Sequence, residues 1–150
     1  FVDSNVFVLA LRYPRDVNAD VNSRFLETLR PRGDGVTSVV NVLEICGILS
    51  FNLNRKQLLS LFAHFARRFA VTVVPAAEPV SVVQSAATEV LAYMSRRMSF
   101  GDALVAHAVD TWARDAEAFV SWDARHFQGK ITPTALTPAD FMAQERRRKR

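Results

Sequence analysis

Apolar and polar positions change period several times along the chain. Phe1–Val2 ends a short extended apolar run, and a helical pattern follows from Val6 until "YPRD" at Tyr13–Asp16 breaks it. Val21, Phe25 and Leu29 share one face of a second helix near Ala19–Arg30, and "RPRGDG" at Arg30–Gly35 signals a loop. Val36–Thr37 reads as a short strand, and Ser38 as the cap of a helix through about Ser50. "NRKQ" places a cap, Asn54, three residues before a glutamine, which predicts another helix. Its apolar positions Leu58, Leu61, Phe62, Phe65 and Phe69 recur at helical spacing. Val71–Pro75 is β-branched and reads as a strand. Ser81 with Gln84 and Ser99 with Asp102 open two more helices, running to about Arg97 and Asp115. Phe119–Ser121 and Ala135–Leu136 read as strands. Thr137 then caps a last helix with Pro138 in its first position.

Strands that alternate with helices predict a parallel sheet. The expected fold is one three-layer α/β/α domain with four or five short, mostly parallel strands. The chain has 150 residues, enough for one core of good size. In such sheets ligands gather at the carboxyl ends of the strands, where helices also begin. Asp3 follows the first strand and Asp123 the strand at Phe119–Ser121. Asp102 lies in the first turn of its helix, and Glu44 in the second turn of the helix after Val36–Thr37. All four carboxylates therefore belong to one edge. Each also has a local alternative: Asp3 as a helix cap, Asp102 as the partner of Ser99, Asp123 as the start of an Asx turn. Glu44 lies between Leu43 and Ile45 in an otherwise apolar helix and is the hardest of the four to explain locally. Four carboxylates together repel one another at neutral pH unless protons or cations compensate. An all-oxygen set suits Mg2+ or Mn2+, ions that promote phosphodiester hydrolysis.

"FVDSNVF", "SVVNVLEICGIL", "SFGDALVAHA" and "FVSWDARHF", in this order and spacing, are similar to the four acidic motifs of PIN-domain ribonucleases. The closing "LTPADFM" resembles that family's last strand and helix, and the likeness is greatest to VapC-like toxins of toxin–antitoxin pairs. The resemblance implies a PIN-like sandwich and a metal-dependent endoribonuclease. Asp3, Glu44, Asp102 and Asp123 would hold one or two Mg2+ or Mn2+ ions, and an activated water would attack phosphorus in line and expel the 3′ oxygen. Asn5 and Ser121 would support the carboxylates. The implied partners are RNA, a cognate antitoxin and a second copy of the chain. The apolar excess of Leu58–Phe69 offers a surface for one of the last two.

Charge adds a second candidate contact. The body at residues 1–144 is neutral, and the net charge of +4 resides in "ERRRKR", Glu145–Arg150, read as a basic tail. Arg146, Arg147 and Arg148 in that tail, and Arg125 and His126 beside Asp123, could meet RNA phosphates; a solvated tail and ordinary surface residues are the alternatives. A non-catalytic RNA-binding or assembly module is therefore the second functional reading. A haloacid-dehalogenase-type phosphatase is disfavoured, because Asn5 stands where its second aspartate is needed. The longest apolar stretch, Phe69–Ala77, is interrupted by a proline and falls short of the roughly 20 residues of a membrane span. A single cysteine, Cys46, rules out an internal disulfide, reads as a core thiol and fits a cytoplasmic protein. The chain opens inside an apolar run without methionine, so residues upstream of Phe1 are expected.

Overall fold

Caps define most of the helices. In the computed structural model, which describes residues 1–74 and 87–148, Asp3 caps α1 (Ser4–Arg12) by accepting from the Ser4 N–H. Ser38 caps α3 (Val39–Leu49), and Asn54 with Gln57 closes a complete capping box on α4 (Arg55–Phe69). Ser99 caps the long helix at Phe100–Trp112, here α6, and Thr137 accepts from the Asp140 N–H at the start of the last, Pro138–Arg148, here α8. Each such cap satisfies an orphan backbone donor and is worth about 1 kcal/mol. The helix α5 spans Ala87–Ser95. The capping box expected at Ser81 and Gln84 lies outside the described residues, as do Pro75 at the end of the expected strand and the last two residues of the tail.

Helix α2 (Ala19–Arg32) runs past the loop expected from Arg30, straight through Pro31. The reason is tertiary. Arg32 is tied to Asp34 (2.8 Å), Glu117 (2.7 Å) and Glu145 (2.6 Å), and Gly33 then ends the helix at φ 68°, where a side chain would be strained. Glu145–Arg148 are likewise the last turn of α8.

Among the described residues the expected four- to five-stranded sheet does not form. The strands close into two separate two-stranded parallel sheets. β1 (Val36–Ser38) pairs with β2 (Thr72–Val74), and β3 (Phe119–Val120) with β4 (Ala135–Leu136). Between them Phe1–Asp3 contributes one isolated parallel bridge, Val2 to Val120, and a hydrogen bond from the Val2 N–H to the Val36 carbonyl (2.7 Å). Helices dominate the chain, and runs of two or three residues are too short to extend one ladder across it. The PIN-like α/β/α sandwich implied by the motifs is therefore not the architecture found.

The extended runs still divide the apolar core. Val2 and Val120 join the cluster collected by α1–α4, whereas Phe1 and Phe119 join the one collected by α5, α6 and α7 (Ala124–Phe127). That split is the period of two along extended backbone. Phe7 of α1 meets Phe65 and Phe69 of α4 edge-on at 5.0 and 4.9 Å, contacts of about 1 kcal/mol each beyond burial. Cys46 is buried in the first cluster, and burial pushes its thiol pKa up. Among the described residues no helix is long and apolar enough to cross a membrane.

Candidate functional site

Parallel pairing fixes the site's location. Asp3, Ser38 and Ser121 all sit where an extended run gives way to a turn or helix, at the carboxyl edge of the strands. Asp3 is 7% exposed, and Ser4, Ser38, Asn41 and Ser121 beside it are buried. Asp3 Oδ1 accepts from the Ser4 N–H (2.7 Å) and from Asn41 Nδ2 (3.1 Å). Its Oδ2 accepts from Ser121 Oγ (2.8 Å).

Each of these partners is itself held. Asn41 Nδ2 also donates to Ser4 Oγ (2.9 Å), and Asn41 Oδ1 accepts from Ser38 Oγ (2.5 Å). Ser4 Oγ donates to Glu44 Oε2 (2.5 Å), so Ser4 lies between two carboxylates. Ser121 Oγ accepts from Asn5 Nδ2 and from the Asp123 N–H, both at 3.0 Å. The Trp122 N–H donates to Asn5 Oδ1 (3.1 Å). Ser121 thus bonds Asp3 directly, and Asn5 reaches Asp3 only through Ser121. Ser4 and Asn41 belong to the same network and were not singled out from the sequence, and Ser38, also in it, was read only as a helix cap. Asn41 stands one helical turn before Glu44 on α3, and that spacing was the available signal.

The electrostatics follow from burial. Desolvation is the largest influence on Asp3 and raises its pKa to about 7. The bonds from Ser121 and Ser4 pull the other way, while the negative charges of Glu44 and Asp102 push it further up. A hydrogen bond to a charged acceptor is worth about 1.5–3 kcal/mol, and several of them do not outweigh the loss of water here. Three acids from the first, second and third motifs therefore share one field.

Asp102 takes part in its local alternative as well. Its Oδ2 accepts from Ser99 Oγ (2.7 Å), and its N–H donates back to that oxygen (3.2 Å). The same Oδ2 lies 3.2 Å from His126 Nε2, a buried nitrogen within ion-pair reach but off-line for a hydrogen bond. His126, one of the possible RNA contacts, faces Asp102. Asp123 is exposed, and its side chain makes no capping bond to α7. Arg125 beside it is exposed. The remaining basic candidates are elsewhere: Arg148 pairs with Glu117, next to Arg32 and Asp34, at the amino edge of β3 and β1. Arg146 and Arg147 are exposed on that same last turn of α8. The basic helix end and the acidic site lie at opposite edges of the strands.

The donor set suits a hard divalent cation: carboxylate oxygens surrounded by hydroxyls and amides. A carboxylate offers about four lone-pair directions, and Asp3 uses three on its protein donors. Among the described residues no three His, Cys, Asp or Glu side chains converge as they stand into a chelating group. A cation would draw Glu44, Asp102 and Asp123 toward Asp3. Ordering each such side chain costs up to about 2 kcal/mol. The chain matches no family model, and no curated protein or solved structure is significantly similar to it.

Proposed function

We propose that the chain hydrolyses RNA phosphodiester bonds with one or two Mg2+ or Mn2+ ions held by Asp3, Glu44, Asp102 and Asp123. The observation that carries this reading is a desolvated carboxyl at the strand edge whose pKa Glu44 and Asp102 raise further. Such an arrangement opposes stability in the metal-free protein at neutral pH, and a nearby divalent charge inverts the sign of that effect. When bound, the ion supplies activation of water and neutralisation of phosphate charge.

The protein's own contribution is positional. Ser4, Asn41 and Ser121 fix Asp3, so its orientation is set before any ligand arrives. Asn5 locks Ser121 and the Trp122 backbone together. Ser4 restrains Glu44, and Arg125, exposed two residues after Asp123, would pair with an RNA phosphate. RNA as the substrate, and a toxin role opposed by a cognate antitoxin, are supported by the four-motif resemblance. The test is cleavage of end-labelled RNA in millimolar Mn2+. EDTA should stop it, and Asp3→Asn or Asp102→Asn should each slow it by at least about a hundredfold with an unchanged circular dichroism spectrum. Cleavage that persists in EDTA and in both variants would refute the reading.

A further inference from the structure

We infer that His126 is a nitrogen ligand of the metal site, so that the site takes Mn2+ in preference to Mg2+. The inference rests on the metal-ion reading of the acidic edge and narrows it. His126 Nε2 lies 3.2 Å from Asp102 Oδ2, sealed from solvent and without a hydrogen-bond partner. The His126 side chain as a whole is 28% exposed and that of Asp102 37%, which leaves the carboxylate accessible. Asp102 Oδ2 keeps one hydrogen bond, from Ser99 Oγ (2.7 Å). Backbone and packing hold the imidazole in place. The His126 N–H donates to the Asp123 carbonyl (3.0 Å), Ala124 and Phe127 of the same turn are buried, and the Phe127 ring meets the imidazole edge-on at 5.6 Å.

The geometry favours a metal ion over a proton between the two atoms. A protonated Nε2 would donate to a carboxylate this close, and no such bond is made. The ring's proton therefore belongs on Nδ1, and Nε2 presents a lone pair to a carboxylate oxygen. Two acceptors that face each other call for a shared cation. Nitrogen and oxygen donors about 2.1 Å from one ion, at right angles, stand about 3.0 Å apart. The observed 3.2 Å is close to that spacing. Mg2+ is a hard ion that takes oxygen donors, whereas imidazole suits transition ions, so one nitrogen donor moves the preference of the site toward Mn2+. The four acidic motifs imply oxygen ligands alone; the nitrogen comes from the fold, which lays α7 against the start of α6.

The chain has three histidines, His64, His107 and His126, so the ligand can be assigned. Pulsed electron paramagnetic resonance of Mn2+ bound to the wild type should show histidine nitrogen coupling. The coupling should persist in His64→Gln/His107→Gln, where His126 is the one imidazole left, and vanish in His126→Ala. By isothermal titration, His126→Ala should weaken Mn2+ binding at least about tenfold and change Mg2+ binding by less than about threefold. Mn2+ bound without nitrogen coupling overturns the inference and leaves the acidic site standing. So does a His126→Ala protein that binds Mn2+ as tightly as the wild type or more tightly, since His126 would then only neutralise Asp102. A wild type that binds no Mn2+ overturns the inference together with the metal reading. If His126→Ala fails to fold, the coupling in His64→Gln/His107→Gln decides alone.

Discussion

Asp3 is an acid largely stripped of water, and its pKa, raised to about 7 by burial, makes stability depend on pH. The folded protein keeps the Asp3 proton between about pH 4 and 7, a range in which the unfolded chain has released it. Protonation therefore favours the fold, and this contribution is full below about pH 4 and lost as pH rises through about 7. In EDTA, Asp3→Asn should melt about 5–10 °C above wild type near pH 8, with the gap closing toward pH 5. Thermal denaturation of both proteins across that range checks it. Ser121→Ala removes a bond that lowers the Asp3 pKa and also leaves Asn5 and the Asp123 N–H without their acceptor. It should cost about 2 kcal/mol and move the pH dependence upward, as read in denaturant melts repeated across pH. Asp3, Asp102 and Asp123 stood out in the sequence because each follows a strand or opens a helix, and Glu44 because it interrupts an apolar helix. Ser4 and Asn41 were not, because their role depends on neighbours 37 and more residues away.

Among the elements, what could be read depended on the range of the interaction. The caps at Ser38, Asn54, Ser99 and Thr137 act over three residues, and the sequence shows both partners. The strands did not assemble as expected, since pairing is non-local and runs of two or three residues carry little information about their neighbours. The extension of α2 through Pro31 is another non-local effect, fixed by Arg32 and its three acids. Arg32 also lies 5.3 Å from the ring of Phe141 and so ties α8 to α2. Arg32→Ala leaves Asp34, Glu117 and Glu145 without their shared cation. It should destabilise the protein by about 2 kcal/mol, measured by urea denaturation, and less in high salt, since the cluster is partly exposed.

The whole molecule has two chemically different strand edges. The acidic network occupies the carboxyl edge, and the Arg32 ion cluster with the basic end of α8 occupies the amino edge. From Glu117 to Ser121 the extended chain covers roughly 13 Å, at 3.3 Å per residue. Arg146→Ala/Arg147→Ala should therefore leave KM for RNA within about twofold, whereas Arg125→Ala, next to Asp123, should raise it several-fold in steady-state cleavage assays. The claim beneath all of this is that folding creates an acidic pocket that exchanges a proton for a divalent cation. Isothermal titration with Mn2+ near pH 6, in buffers of different ionisation enthalpy, tests it most directly. The account predicts binding that releases close to one proton from the wild type and is weakened at least about tenfold in Asp3→Asn and Asp102→Asn. Absence of binding at millimolar Mn2+, or equal binding by all three proteins without proton release, would contradict it.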